Sequence, residues 1–268
     1  MFTLGRKIDF SYTTNKRIVI LSLLVVLTGA FVTRNFMSGL YIGMGVFLTW
    51  ALSREVNPKD NYPAFLAAAF SLLNLFYYKN IQLLVVVWLL LLLRIVNGIT
   101  GKKLTGFDIF SVLGFTIYLS LNNQNSIYLL IYILTMVLII EAKEKIKEVL
   151  IATGIGLGVF IAESFFTGYL SFNSIEYLMP VKVVTLLLLC LSLVSFWFLS
   201  KNAIEDDQGN LVKKSKLLAS QILYSAVVFL LFFFSDIGMN NLLIYLSVLL
   251  AIIIHLVSTK ILSKDHFK

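Results

Sequence analysis

Long uninterrupted apolar runs constrain this chain more than any other feature of its sequence. Two examples are residues 83–93 and 226–234, in which every side chain is apolar. The hydrocarbon core of a bilayer is about 30 Å thick, and a helix needs roughly 17–25 apolar residues to cross it. A transmembrane barrel would instead show short segments of alternating polarity. The continuous runs therefore predict an all-α, polytopic transmembrane helix bundle.

The composition supports this class and excludes several others. Of the 268 residues, 59% are hydrophobic and 13% are charged, whereas soluble domains carry about 25% charged residues. Fifteen Gly, three Pro and a single Cys exclude a collagen-like chain and a disulfide-stabilised scaffold. The sequence has no basic stripe with interleaved aromatic residues, so we expect no nucleic-acid partner.

Polar breaks divide the apolar sequence into about ten short predicted spans. Two of them flank the polar break 122–125, and a re-entrant hairpin at that place would reduce the count to eight. The predicted spans are residues 18–33, 36–53, 62–77, 81–97, 108–121, 126–140, 149–170, 178–200, 217–235 and 241–258.

The distribution of basic residues predicts the orientation of these spans. Of the 22 Lys and Arg residues, only Arg34, Lys79 and Lys182 fall on the side opposite the N-terminus, which leaves 19 on the N-terminal side. By the positive-inside rule that side is the cytoplasm, so both termini are predicted to be cytoplasmic. The expected location is the plasma (inner) membrane, with anionic lipid head groups as partners of the basic face.

The predicted domain organisation follows from these spans. Residues 1–17 form a cytoplasmic N-terminal segment, residues 18–258 a single transmembrane domain, and residues 259–268 a cytoplasmic tail. No small-residue cleavage site follows the first apolar run, so this run is predicted to remain as an uncleaved helix. The longest polar stretch, residues 201–216, contains a turn-like sequence at 206–210 and is too short for a further domain.

The first cytoplasmic loop has a structural and a functional interpretation. As structure, Asn57 would cap the next helix, Pro58 would be its first residue, and Asp60 would favour its positive start. As a site, Arg54 and Glu55 would form an ion pair or a substrate clamp at the membrane surface. Arginine suits anion binding because its planar guanidinium offers a bidentate fork.

The second cytoplasmic loop, residues 94–108, has the same two interpretations. Asn97 followed by glycine predicts a helix C-cap, and Thr105 with Asp108 has the spacing of a capping box. Three glycines and three basic residues before a helix start also suit a phosphate, although the spacing is not that of a P-loop. The anion-binding candidates of the two loops are Arg54, Glu55, Arg94, Asn97, Lys102, Lys103 and Asp108.

Glu163 is an ionisable residue inside the seventh predicted span. Such residues are rare and costly in a membrane, and they mark ion or substrate sites by default. One interpretation makes Glu163 a proton or cation site beside a close-packed face formed by Gly154 and Gly158. The other makes it a structural ion pair with Lys182, whose side chain would extend outward from the next span. Glu163 and Lys182 are the predicted substrate- or ion-coupling residues.

The remaining polar features predict structure rather than chemistry. His255 is expected to be a hydrogen-bonded residue near the end of the last span, and Cys190 a packing residue. The charged stretch 141–148 predicts a helix that continues into the cytoplasm. The sequence has no HExxH, no CxxC, no aspartate-rich diphosphate motif and no nucleotide-binding glycine fingerprint, so we expect no metal and no cofactor.

Three functions stay open at this point. The favoured one is a small-solute transporter linked to protons or cations through Glu163. Ten short helices with both ends inside resemble the topology of the drug/metabolite transporter superfamily, a likeness of shape that no motif supports. The second is a membrane-embedded enzyme or binding protein for lipid-linked phosphates at the cytoplasmic face, and the third is a scaffold or accessory subunit. The missing catalytic motifs weigh against an enzyme.

Overall fold

The computed structural model describes residues 2–6, 8–77, 81–141, 145–170, 177–235 and 237–265. These residues form ten α-helices. In chain order the helices are α1 (Thr13–Thr33), α2 (Phe36–Val56), α3 (Tyr62–Ser71), α4 (Leu83–Asn97), α5 (Gly106–Asn122), α6 (Ile127–Glu141), α7 (Ile146–Ala162), α8 (Met179–Leu199), α9 (Lys214–Phe234) and α10 (Met239–Asp265). A 3-10 turn (Leu72–Phe76) follows α3, and a π-helical turn (Glu163–Thr167) follows α7.

Each helix lies on one of the ten apolar segments predicted from the sequence, so the all-α class is confirmed. Six of the described helices are long and apolar enough to cross a membrane, namely α1, α2, α7 with its π-helical turn, α8, α9 and α10. The other four are shorter apolar helices. The chain is therefore a helical membrane protein, while the number of crossings and the sides of the termini stay predictions.

The helices divide into two compact units that alternate along the sequence. Unit 1 comprises Met1–Arg6, Val87–Glu176 and Ala203–Asp236, and unit 2 comprises Lys7–Val86, Tyr177–Asn202 and Ile237–Lys268. Unit 1 thus holds most of α4 together with α5, α6, α7 and α9. Unit 2 holds α1, α2, α3, α8 and α10. The predicted single domain, 18–258, stays a prediction.

Unit 2 is built on the packing of α2 against α1 and α3, and of α10 against α3 and α8. Its buried cluster is centred on Ile18, Val25 and Ile42. A Cβ at Gly39 would lie 2.4 Å from the backbone nitrogen of Ala30, so α1 and α2 approach closely only because that atom is missing.

The small-residue face predicted on α7 is wrong. The Cβ positions of Gly154 and Gly158 have no atom of the described structure within 4 Å. Both glycines are exposed, so they face away from the helices of unit 1. Close helix approach depends on burial of the small residue, and this condition is met at Gly39 of α2 instead.

The core of unit 1 is centred on aromatic side chains of α4 and α6. The rings of Trp88 and Tyr128 meet edge to face with centroids 5.4 Å apart, and Trp88 Nε1 donates to Thr116 Oγ1 of α5 over 2.9 Å. Helix α7 packs on α5 and α6, where Gly156 lies against the ring of Tyr132.

The two ends of unit 1 differ in charge. At one end α4 terminates and α5, α7 and α9 begin; every described Lys and Arg of unit 1 lies there, and we call it the basic end. At the other end α5 terminates, α6 begins and the π-helical turn follows α7; we call it the Glu163 end. Helix α5 runs beside α7 between the two, since Gly106 lies against Glu148 and Ser120 contacts Glu163.

Two local predictions made from the sequence are wrong. Helix α3 begins at Tyr62, and Pro63 rather than Pro58 occupies its first turn, where a residue without an N–H is best tolerated. Asn57 ends α2 instead of capping α3. The helix predicted over 141–148 is also interrupted, because Lys145 adopts a left-handed φ of 46° immediately before α7 begins at Ile146.

Candidate functional site

A cavity of about 430 Å³ opens at the basic end of unit 1. Its volume lies within the range of small-molecule sites, about 300–1,000 Å³. Five positive side chains and one negative side chain line it, a net charge of +4. The lining residues are Leu4, Arg94, Ile95, Gly98, Thr100, Gly101, Lys102, Lys103, Leu104, Lys145, Asp206 and Lys216.

One wall of the cavity is the loop that follows α4. The buried side chain of Asn97 ends the helix, and its Oδ1 accepts a hydrogen bond from the backbone N–H of Ile99 over 3.0 Å. Gly98 then adopts a φ of 65°, the left-handed conformation that glycine favours after a helix. The predicted C-cap is confirmed. The turn leads the chain to Lys102 and Lys103, both exposed, which line the cavity.

A second wall is a short hairpin, residues 204–212, at the turn predicted from the sequence. The backbone N–H of Asp206 donates to the carbonyl of Asn210. The Asp206 carboxylate in turn accepts from the backbone N–H groups of Asn210 and Gln208. These hydrogen bonds hold the pKa of Asp206 below its usual value, and the bond from the N–H of Asn210 has the largest effect. Partial burial acts in the opposite direction but does not cancel them. The one acid of the cavity lining is therefore ionised at neutral pH and committed to the hairpin.

The hairpin and the loop after α4 meet at Gly101. A Cβ there would lie 2.8 Å from Cγ of Gln208 and 3.0 Å from Oδ2 of Asp206, and φ is 67°. The backbone N–H of Asp207 also donates to the carbonyl of Ile99 over 3.0 Å. Close approach and a positive φ both require glycine at position 101.

The N-terminal segment forms a third wall. Leu4 is buried, and its carbonyl accepts a hydrogen bond from Nη1 of Arg94 over 2.9 Å. The guanidinium of Arg6 pairs with Asp207 of the hairpin. Part of the predicted cytoplasmic segment 1–17 is thus packed onto unit 1 beside the cavity.

Asp108 attaches this segment to the start of α5. The predicted capping box is confirmed, since the side chains of Thr105 and Asp108 each accept a hydrogen bond from the other residue's backbone N–H. The same carboxylate accepts hydrogen bonds from the backbone N–H and the hydroxyl of Thr3. Asp108 is buried, and these donors occupy its carboxylate oxygens.

Two helices begin at the cavity with lysines where a negative charge would be favoured. Lys145 is the N-cap of α7, and Lys216 lies in the first turn of α9; neither helix start has a side-chain cap. A helix N-terminus carries about half a positive charge, so these lysines are repelled by it. Lys145 is partly compensated by Glu148 at 3.4 Å.

The structure brings together most of the predicted second-loop site. Arg94, Lys102 and Lys103 line the same cavity. Asn97 and Asp108 hold the surrounding backbone in place. The second-loop candidates therefore divide into three residues that line the cavity and two that hold the backbone beside it.

The first-loop candidates do not line the cavity, and two of its five basic residues were missed. Arg54 and Glu55 lie in the last turn of α2 in unit 2, where Glu55 is buried and both make polar interactions. Lys145 and Lys216 were not identified as site residues from the sequence. The only signal for them was their assignment to the same side of the membrane as Arg94.

The second candidate site is at the Glu163 end. Glu163 is only 4% exposed, and its Oε2 is in hydrogen-bond contact with Ser120 Oγ. Its Oε1 is also buried and has no hydrogen-bond partner among the described residues. Lys182, the partner predicted from the sequence, lies in the first turn of α8 in unit 2; that pairing stays a prediction.

Hydrogen bonds join the π-helical turn to the loop between α5 and α6. The Glu163 carbonyl accepts from the hydroxyl of Thr167 and, over 3.1 Å, from the N–H of Tyr169. Ser126 donates its N–H to the Tyr169 carbonyl, and its Oγ lies 3.1 Å from Oγ of Ser164. Single π-helical turns occur frequently at functional sites.

In unit 2, His255 has the hydrogen-bonded role predicted from the sequence. Its Nε2 lies 3.1 Å from Oδ2 of Asp60, and its ring contacts Tyr62. Asp60 therefore pairs with His255 and does not lie in the first turn of α3. Within the described residues, no cluster of three His, Cys, Asp or Glu side chains is arranged to hold a metal ion.

No family model, curated protein or solved structure matches this chain. Function is therefore argued from the basic cavity and from the buried Glu163.

Proposed function

We propose that this membrane protein binds a phosphate-bearing anion in the cavity at the basic end of unit 1. The observation that carries the proposal is the net charge of +4 on the side chains lining a cavity of about 430 Å³. Arg94 offers a planar fork and the lysines offer compact charges, and phosphate oxygens accept both. A ligand with one carboxylate group would balance only one of these positive charges, whereas a phosphate monoester or a diphosphate would balance two or more.

Two sources supply this chemistry, a phosphate-containing lipid head group and a soluble phosphate ester. The cavity lies where helices end, which is the depth of the lipid head groups if these helices cross the membrane. If the basic end faces the cytoplasm, these are the head groups of the cytoplasmic leaflet. The positive-inside rule supports that orientation, because all described Lys and Arg residues of unit 1 lie at this end.

We also propose that all ten helices cross the membrane, with both termini in the cytoplasm. The shorter helix α5 has 17 residues, about 25 Å at 1.5 Å per residue. It lies beside α7 from the level of Glu148 to that of Glu163, and α7 with its π-helical turn is long enough to cross. A slightly thinned bilayer would accommodate α5 at modest cost.

A comparison of two lysine pairs tests anion binding. Lys102→Ala/Lys103→Ala removes two charges from the cavity lining, whereas Lys213→Ala/Lys214→Ala removes two exposed charges that lie outside it. The two variants have the same net charge, so general attraction to anions falls equally. Binding of pyrophosphate is measured by calorimetry in neutral-lipid nanodiscs. Phosphatidic acid in the nanodiscs, read by thermal stabilisation, is the lipid arm.

We expect the cavity variant to lose about tenfold in affinity, because each exposed ion pair contributes up to about 1 kcal/mol and 1.4 kcal/mol is tenfold. The control should change by less than about twofold. A loss in the pyrophosphate arm alone identifies a soluble ligand, and a loss in the lipid arm alone identifies a head group. Equal losses in both variants would contradict a built site, since they would reflect adsorption to a basic surface.

A second candidate, a transporter coupled to protons or cations through Glu163, is favoured by a different observation. Glu163 is a buried acid inside a helix that is long and apolar enough to cross a membrane. Such residues commonly belong to proton or ion pathways. We expect Glu163→Gln to abolish uptake of labelled inorganic phosphate into proteoliposomes under an imposed pH gradient. Wild type without gradient-driven uptake would contradict this function.

A further inference from the structure

Ser120 lies between two hydrogen-bond acceptors at the Glu163 end of unit 1. Its Oγ is 2.9 Å from the backbone carbonyl oxygen of Asn125 and in hydrogen-bond contact with Oε2 of Glu163. The serine is itself fully buried. The three groups thus form a short hydrogen-bonded series that runs from the π-helical turn after α7, through Ser120 of α5, to the loop between α5 and α6.

The number of protons available to these three groups decides whether Glu163 is protonated. A serine hydroxyl has one proton to donate, and a backbone carbonyl can only accept. If Ser120 donates to Asn125, its contact with Glu163 is a hydrogen bond only when Glu163 supplies a proton. We propose that Glu163 is a proton-binding site that is occupied at neutral pH, with the carboxylic acid donating to Ser120 and Ser120 donating to the Asn125 carbonyl.

The second carboxyl oxygen supports the same assignment. Oε1 of Glu163 is buried without a hydrogen-bond partner among the described residues. An ionised carboxylate in that position would leave a charged oxygen without a donor, which is far more costly than an unpaired neutral carbonyl. The protonated acid therefore leaves only a neutral oxygen unpaired, whereas the carboxylate leaves a charged oxygen unpaired and competes with the Asn125 carbonyl for the one proton of Ser120.

On α5, α6 and α7, the charged residues of the described structure lie at the opposite end of unit 1 from Glu163. The carboxylates of Asp108 on α5 and Glu148 on α7 are 12 and 15 residues away along their helices from Ser120 and Glu163, about 18–22 Å at 1.5 Å per residue. Glu141 is the last residue of α6, at the basic end, and the other ionisable residues of α5 and α6 are Tyr118, Tyr128 and Tyr132; Tyr169 follows the π-helical turn.

The proton links the packing of three helices. Asn125 donates from Nδ2 to the Phe234 carbonyl at the end of α9 over 2.6 Å, and its Oδ1 accepts from the N–H of Ile127. Loss of the proton would leave two acceptors facing one hydroxyl, which weakens the contact between α7 and this loop. The role of this proton in transport rests on the transporter candidate proposed above. In that function, release of the proton from Glu163 would change the helix packing at the Glu163 end of unit 1.

Difference infrared spectroscopy of the full chain in nanodiscs tests the protonation state. A protonated carboxyl group gives a C=O stretching band that a carboxylate lacks. At pH 7 we expect this band in wild type and its loss in Glu163→Gln. The matched control, Glu148→Gln, changes an exposed carboxylate on the same helix and should leave the band unaffected. Ser120→Ala should shift the band to higher frequency because the acceptor is removed.

The proposal fails if wild type shows no such band at pH 7, or if the band persists in Glu163→Gln. It also fails if sodium chloride abolishes the band that is present in choline chloride at the same pH, because the ligand is then a metal cation. If Glu163→Gln does not fold, the shift in Ser120→Ala and the pH titration of the wild-type band decide the matter. If the carboxyl band is present but the pH gradient drives no phosphate uptake, the transporter is rejected and the proton site is retained. If the gradient drives uptake but the band is absent, the proton site is rejected and the transporter is retained.

Discussion

The Asp108 carboxylate of α5 accepts hydrogen bonds from the backbone N–H and the hydroxyl of Thr3, over 2.7 and 2.6 Å, across 105 residues of sequence. The same carboxylate completes the capping box of α5. One buried acid therefore orders a helix start and also holds the N-terminal segment beside the basic cavity. Leu4, the residue after Thr3, lines that cavity.

Loss of the Thr3 hydroxyl should loosen the N-terminal segment. Thr3→Val keeps the shape of the side chain and removes one hydrogen bond to a charged group. We expect a loss of about 1.5 kcal/mol in unfolding free energy, the lower end for such bonds because Thr3 is half-buried. Thermal unfolding in nanodiscs measures the loss, and trypsin cleavage after Arg6 should become faster. Thr13→Val, at an exposed threonine, should change neither reading.

Alanine at Gly101 should disturb the cavity more than alanine at Gly209. Both glycines have a positive φ, 67° and 81°, so alanine strains the backbone at each by about 1–2 kcal/mol. Only at Gly101 would the new Cβ meet the hairpin, at 2.8 Å from Gln208. We expect Gly101→Ala to cost a further 1–3 kcal/mol from overpacking and to weaken pyrophosphate binding. Equal losses of stability and affinity in the two variants would show that the hairpin does not dock at Gly101.

The glycines of α2 and α7 should respond to alanine with opposite signs. Gly39→Ala places a Cβ 2.4 Å from backbone of α1 and should destabilise unit 2 by about 1–3 kcal/mol or more. Gly158→Ala meets open space and should be neutral or stabilising by up to about 1 kcal/mol, since alanine favours helix. Thermal unfolding compares the two variants. A large loss in Gly158→Ala would indicate that α7 packs closely on a second surface.

Cysteine labelling should place residues 102 and 122 on opposite sides of the membrane. Both are exposed, at the two ends of unit 1. In a Cys190→Ser background, an impermeant maleimide should reach Asn122→Cys from outside intact cells and Lys102→Cys only after lysis. Labelling of both positions from the same side would mean that α5 and α6 form a re-entrant hairpin, which reduces the crossings to eight.

Local sequence patterns predicted the helices well because the forces behind them are local. Every predicted apolar segment became a helix, and the caps at Asn97, Thr105 and the turn at 206–210 formed as expected. The cap predicted at Asn57 failed because two prolines five residues apart could each start α3. Only packing of the surrounding helices selects between them.

The candidate sites were predicted in part. Arg94, Lys102 and Lys103 were identified because they lie within ten residues of one another on one loop. Lys145 and Lys216 were missed because they reach the same cavity from the starts of α7 and α9. Glu163 was recognised as a misplaced charge, but its contact with Ser120 was not predicted.

The sequence by itself determined the all-helical membrane class, the positions of the helices and the concentration of basic residues on one predicted side. These properties depend on the polarity and spacing of neighbouring residues, which a single chain displays directly. Only the tertiary structure decided that the end of α4, the starts of α7 and α9, the hairpin and the N-terminal segment enclose one basic cavity and that Glu163 meets Ser120. Contacts between distant residues depend on how each helix is rotated and packed, and apolar helices in a membrane carry little local pattern that specifies this rotation.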